Sequence, residues 1–204
     1  MAELKRTNPY SVTGPIRDPS QFYGREQESA AILKVVTNDP PESAVIVGGR
    51  KIGKTSLLFH VRDRMLQPSE ARKEMLVPVF VDMEASPLSS MSDVFETIIS
   101  ATVRTLRDYK NVSIDTRDLP SGSYEGFRKA LLIVQDQYRE ILGPIRFVFL
   151  VDEGDALAGR SWSSDLLGGF RDLMFASDME RSPKLVFFVA DWRTFAAPST
   201  GSRS

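Results

Sequence analysis

Hydrophobic and polar positions divide the chain into short apolar runs separated by longer amphipathic stretches. Ser43–Val47 (SAVIV) is an almost unbroken apolar run before Gly48-Gly49 and reads as a short strand buried on both faces. Met75–Met83, Ile145–Val151 and Lys184–Ala190 read as three more strands. Pro78 has no N–H for a neighbouring strand, which predicts an edge position or a bulge for the second of the four. Between the strands the period changes to that of a helix. Lys54 to about Leu66 carries Leu57, Leu58, Val61 and Met65 on one stripe, and Ser92–Tyr109 carries Val94, Phe95, Ile98, Ile99, Val103 and Leu106. Tyr124–Leu142 is a further strong helix, closed by Gly143-Pro144. An apolar stripe predicts a helix over Phe22–Val36, ended by Pro40-Pro41, and a weaker pattern predicts one over Ser164–Ser177. Apolar strands alternating with helices predict an α/β fold with a parallel sheet and right-handed crossovers.

Residues 1–21 lack either period and hold Pro9, Gly14, Pro15 and Pro19, so they read as an extended N-terminal arm. Residues 22–195 form the core, and 196–204 a small, polar, flexible tail. With 204 residues, 42% of them hydrophobic, the chain holds enough apolar material for one domain plus the arm. A net charge of −1 excludes a broadly basic surface built to neutralise many phosphates, leaving room only for a local patch. The absence of cysteine excludes disulfides, a thiolate nucleophile and a Cys-based zinc site. His60, the sole histidine, cannot build a His-rich metal site and is read as structural. No stretch approaches the ~20 apolar residues of a membrane helix, and the N-terminus has no signal-peptide run. A soluble, cytoplasmic protein without a membrane partner is expected.

The chemistry is concentrated in two segments. Gly48-Gly49-Arg50-Lys51-Ile52-Gly53-Lys54-Thr55 fits G-x-x-x-x-G-K-[ST] at every fixed position, between an apolar strand and an amphipathic helix. Glycines let a backbone fold into a concave nest of N–H groups, and the following helix aims its positive end at the same point. Lys54 would place its charge between the β- and γ-phosphates of ATP, and Thr55 would offer its hydroxyl to Mg²⁺. Ser56 completes the candidate phosphate-binding set; the Arg50 and Lys51 side chains read as outward-pointing surface charge. The second segment is Asp152-Glu153, at the tip of the most hydrophobic run. Asp152 there would hold the Mg²⁺ environment, and Glu153 would polarise the attacking water as a catalytic base.

Three segments together, Phe22-Tyr23-Gly24-Arg25-Glu26, GGRKIGKTSLL from Gly48 to Leu58, and FVFLVDEGD from Phe147 to Asp155, resemble the P-loop ATPases of the additional-strand, catalytic-glutamate division. Within it they resemble the STAND/AAA-like group that includes archaeal-type ATPases, over about Phe22 to Arg193. The resemblance implies a three-layer α/β/α sandwich with strand order 5-1-4-3-2; strand 5 and the helical lid are expected to be missing from this sequence, which would then be a fragment or a short variant whose sheet edge is covered by something else. It places Tyr23, Gly24 and Arg25 beside the adenine. Arg193 then stands where the group can carry a residue that reads the γ-phosphate; the alternatives are an exposed loop arginine, or Asp191 in that role.

Arg160 and Arg171 read as solvated helix-face residues, or else as arginine fingers acting on a neighbouring copy. Trp162 and Trp192 read as packing. The implied function is a Mg-ATP-binding, ATP-hydrolysing switch module whose nucleotide state controls assembly with a protein partner or with itself. The alternatives are a nucleotide-binding interaction domain without efficient turnover and a DNA-linked initiator or loader ATPase. Nucleic acid is a possible partner that the overall charge does not indicate.

Overall fold

The computed structural model describes residues 14–38, 42–49, 51–69, 74–85, 87–110, 113, 116, 118–120, 122–175 and 184–189. In chain order the elements are α1 (Glu26–Thr37), β1 (Ala44–Val47), α2 (Lys54–Leu66), β2 (Met75–Asp82) and α3 (Met91–Lys110). Then come α4 (Tyr124–Leu142), β3 (Ile145–Asp152), α5 (Ser163–Phe175) and β4 (Lys184–Val189). The four strands form one parallel sheet in the order β1-β4-β3-β2. Pro78 lies on the edge strand β2, opposite Val148, where a missing N–H costs no ladder bond.

Side chains alternate across the strands and so feed two cores. Val77, Val79 and Val81 of β2 join Phe147, Phe149 and Val151 of β3 beneath α3, α4 and α5. On the other face Leu76, Val148 and Leu150 pack with Ile32 and Val36 of α1 and with Leu57, Leu58, Val61 and Met65 of α2. Each large side chain buried in this way contributes about 1.5–3 kcal/mol. Local signals set the helix ends. Ser123 Oγ accepts from Gly126 N (3.0 Å) to start α4, and Gly143, at φ +77°, ends it. Asp93 anchors the turn into α3 by accepting from Ser89 N (2.7 Å) and Ser90 N (2.9 Å).

Two expectations need correction. β1 is not buried on both faces: Val45 is 55% and Val47 46% exposed, while Ala44 and Ile46 face the α1–α2 layer. Hydropathy records what a side chain tolerates, not whether a helix covers it; α3, α4 and α5 lie over β2, β3 and β4. Helix α1 starts at Glu26 rather than Phe22, because Gly24 (φ +74°) and Arg25 (φ +62°) turn the chain through left-handed conformations that a right-handed helix excludes. Ahead of them Pro19–Gln21 forms a 3-10 turn, whose first N–H groups are served by Asp18 accepting from Ser20 N (2.9 Å). No helix among the described residues is long and apolar enough to cross a membrane.

Candidate functional site

The loop between β1 and α2 has the shape its glycines permit. Gly53 is the N-cap of α2 at φ +83°, and Lys51 also lies in the left-handed region at φ +59°. A Cβ on Gly48 would run into the Ile52 side chain, so that position accepts only glycine without a shift. The first helical bond runs from Leu57 N to Gly53 O (3.0 Å), which leaves the N–H groups of Lys54, Thr55 and Ser56 without acceptors inside the helix. These groups and the helix dipole point at one place, a ready site for an anion. Lys54, the first residue of α2, folds its ammonium over the loop and donates to Gly48 O and Gly49 O, each at 2.9 Å. Thr55 is half-buried at the same end. Ile52 stands 45% exposed at the loop surface. Arg50 lies outside the described residues.

The sheet brings the second segment to this loop. Strand β4 lies between β1 and β3, with Val47 opposite Val189 and Val151 opposite Phe187. Val47 and Asp152 therefore end within about one residue of each other along the sheet and two strand spacings apart, about 10 Å. Asp152 is 4% exposed, and its carboxylate accepts from Glu153 N (3.1 Å). Glu153 leaves the strand line at φ +51° and caps a 3-10 turn over Gly154–Leu157, an element the sequence pattern did not suggest. Burial raises the Glu153 pKa above the ordinary 4.5, the charges of Asp152, Glu84 and Asp155 raise it further, and the Lys54 ammonium acts in the opposite sense. Lys54 and Glu153, far apart in sequence, thus share one electrostatic environment.

Glu84 and Asp82 were not anticipated. Asp82 pairs in register with Asp152, its carboxylate accepts from Glu84 N (2.9 Å), and Met83 N donates to Asp152 O (3.2 Å). The signal was visible: β2 ends VFVDME much as β3 ends VFLVDEG, so parallel neighbours of equal length place both acidic tips together.

Phe22 stacks on His60 of α2, with ring centroids 4.4 Å apart, which holds the Phe22–Arg25 segment beside the same helix. Tyr23 is 86% exposed, and Arg25 caps α1 without a side-chain hydrogen bond. Ser56 is buried, and its hydroxyl accepts from Ile16 N (2.9 Å). His60 carries the stack, and its buried Nδ1 has no hydrogen-bond partner. Trp162 packs against the α3–α5 core and donates to Ser89 O (3.1 Å). Arg160 and Arg171 are exposed. Asp191, Trp192 and Arg193 lie outside the described residues, as do residues 1–13 and the tail.

The donor set suits a magnesium ion. Among the described residues no cluster of three His, Cys, Asp or Glu side chains forms a protein cage. One buried carboxylate, Asp152, and one hydroxyl, Thr55, are hard oxygen donors of the kind that hold Mg²⁺ together with water and phosphate oxygens.

No protein-family model and no curated protein matches the sequence. Solved structures do. The Walker-type ATPase PABY2304 of Pyrococcus abyssi superposes with a TM-score of 0.60 at 18% identity, over 90% of this chain and 50% of that one. The ORC2 protein of Aeropyrum pernix, in ADPNP and ADP complexes, gives 0.58 at 15% identity, over 86% and 43%. The ORC1 protein of the same organism, in complex with DNA, gives 0.53 at 18%, over 83% and 40%. This chain thus spans half or less of the length of each. At these identities the likeness shows the fold alone, α/β with helices on both sides of a parallel sheet.

Proposed function

We propose that this chain is a Mg-ATP-binding and ATP-hydrolysing switch module of the STAND/AAA-like type, with residues 22–195 as its ATPase core. The observation that carries the reading is the convergence of Lys54 and Asp152-Glu153 at one end of the sheet, beside the free N–H groups of α2. Phosphate oxygens replace Gly48 O and Gly49 O as acceptors for Lys54 Nζ, and the backbone of residues 48–56 wraps the β-phosphate. Thr55 and Asp152 would hold Mg²⁺, which would supply positive charge against the phosphates. Glu153 accepts a proton from the attacking water; its raised pKa makes it the stronger base once ionised. Tyr23, Gly24 and Arg25 flank the base, and Arg193 meets the γ-phosphate. ATP and ADP are the ligands, and a protein partner or a second copy reads the state.

Calorimetry with Mg-ATP on wild type, Lys54→Ala and Glu153→Gln tests this. Lys54→Ala should lose most affinity, whereas Glu153→Gln should bind and turn over about 10²-fold more slowly. Unchanged affinity in folded Lys54→Ala would refute the phosphate site. Binding without turnover in wild type would replace the enzyme by a nucleotide-dependent interaction domain.

The likeness to the ORC1 protein in complex with DNA favours a second reading, a DNA-linked ATPase. Duplex DNA anisotropy at two salt concentrations decides it. Backbone contact requires affinity that falls steeply with salt, and a chain of net charge −1 must concentrate its cations locally to achieve that.

A further inference from the structure

The segment Gly14–Gln21, by sequence the end of an extended arm, and Phe22 after it are fastened to the helix that carries Lys54. Ile16 N donates to Ser56 Oγ (2.9 Å), the Arg17 guanidinium lies 5.0 Å from the Phe59 ring centroid, and Phe22 stacks on His60 at 4.4 Å. Beyond the turn into α1, Arg64 donates to Ser29 Oγ (3.1 Å). Residues 16, 17, 22 and 29 thus meet residues 56, 59, 60 and 64 in ascending order, and the segment runs along α2 in the direction of the helix. The inner face of α2 is held by Leu57, Leu58, Val61 and Met65. Phe22 packs against that cluster as well, whereas Ile16 and Arg17 meet Ser56 and Phe59 outside it, and the Phe59 ring passes the contact on to Phe80 of the edge strand β2, 4.8 Å away. Arg62 lies over the same ring at 5.1 Å, but both its Nε and Nη2 are engaged by Asp63 Oδ1.

We propose that this strap positions the N-terminus of α2 for its ligand, with Arg17 as the positioning residue, so that nucleotide binding and strap docking reinforce each other. The inference rests on the phosphate-site reading above. Free N–H groups grip a phosphate only when the helix stands within a few tenths of an ångström of its bound position. Ser56 lies two residues after Lys54, and Phe59 is about 7 Å further along the axis than Lys54. A strap tied at both points resists axial shift and rotation of the first two turns. By linkage, whatever the docked strap adds to nucleotide affinity, the nucleotide returns as protection of the strap.

Hydrogen exchange and calorimetry on the full chain test this, with Mg-ATP as the probe and working temperature well below every variant's Tm. In wild type, Mg-ATP should slow exchange of the amides from Ile16 to Phe22 by at least about threefold. Arg17→Ala, at an exposed position, should fold normally and bind Mg-ATP about two- to fivefold more weakly, with Arg17→Lys restoring most of the loss. A merely structural strap would lower Tm without changing the affinity of the folded protein. If Lys54→Ala loses binding while Arg17→Ala binds like wild type and the strap amides ignore Mg-ATP, the strap proposal alone is wrong. If Lys54→Ala binds as wild type does, the phosphate site fails and the strap proposal falls with it.

Discussion

Replacing Lys54 by alanine removes one charge whose two states the geometry defines. In the free protein the ammonium donates to Gly48 O and Gly49 O at 2.9 Å, and in the proposed complex it exchanges those carbonyls for phosphate oxygens. A hydrogen bond between charged groups contributes about 1.5–3 kcal/mol, against about 1 kcal/mol for an ordinary one. Two such contacts, less the two carbonyl bonds the variant no longer has to break, leave a net loss of about 1–4 kcal/mol. That is a Kd about 5- to 1,000-fold higher. Thermal unfolding reads this without an activity assay. At a ligand concentration 100 times the wild-type Kd, binding stabilises wild type by about 2.7 kcal/mol, which for a chain of this size raises Tm by about 5–11 °C. A variant with a 100-fold higher Kd gains about 0.4 kcal/mol and shifts by only about 1–2 °C under the same conditions. Equal Mg-ATP shifts in folded wild type and Lys54→Ala would refute the reasoning.

Glu153→Gln removes a carboxylate whose ionised form burial and Asp152 disfavour, so the ligand-free variant should melt at a higher temperature than wild type even as its turnover falls about 10²-fold; a lower Tm would contradict the environment described for Glu153. Asp93 is held below the ordinary carboxylate range by hydrogen bonds from Ser89 and Ser90. A lowered folded-state pKa gives stability that is present above the unfolded value of 3.8 and lost as pH falls through the folded one. Asp93→Asn should therefore lower Tm at neutral pH, with the gap closing as a melting series enters the acid range. Gly168 and Gly169 form an internal control on α5: a Cβ at Gly168 meets nothing within 4 Å, whereas one at Gly169 comes within 2.7 Å of the Tyr124 ring. Gly168→Ala should stabilise by about 0.5–1 kcal/mol and Gly169→Ala destabilise by about 1–3 kcal/mol in urea titrations.

Where a segment carried both its period and its punctuation, the sequence was enough. Tyr124–Leu142 has an apolar stripe and Gly143-Pro144 after it, and α4 has those bounds. The β3 run needed one more residue, Asp152, because a polar tip still pairs with Asp82 on β2. The failures share one physical cause, that they depend on a neighbour distant in sequence. The burial of Val45 and Val47 depends on what lies across β1, and the docking of residues 14–22 depends on the side chains of Ser56, Phe59 and His60. At the site, the loop from Gly48 to Thr55 and the Asp152-Glu153 tip were legible as motifs. Their approach follows from β4 lying between β1 and β3, which no local pattern encodes.

Backbone strain falls on the same segments as the proposed chemistry. Among the described residues, three that are not glycine take positive φ: Arg25 in the Phe22–Glu26 segment, Lys51 in the loop before α2, and Glu153 at the tip of β3. Each costs about 1–2 kcal/mol against a regular conformation, a sum comparable with much of the net stability of a small domain. None is needed to close a core, since the buried clusters are built from other residues. At Glu153 the gain is geometric. In a continuing strand the residue after Asp152 would project to the opposite face of the sheet, whereas a left-handed turn at that point swings the carboxylate to where it feels Asp152, Glu84 and Lys54 together. A chain selected for stability alone would place glycine at such turns, or let β3 run on. Side chains kept there at that cost indicate that the direction in which they point is what the turns are for.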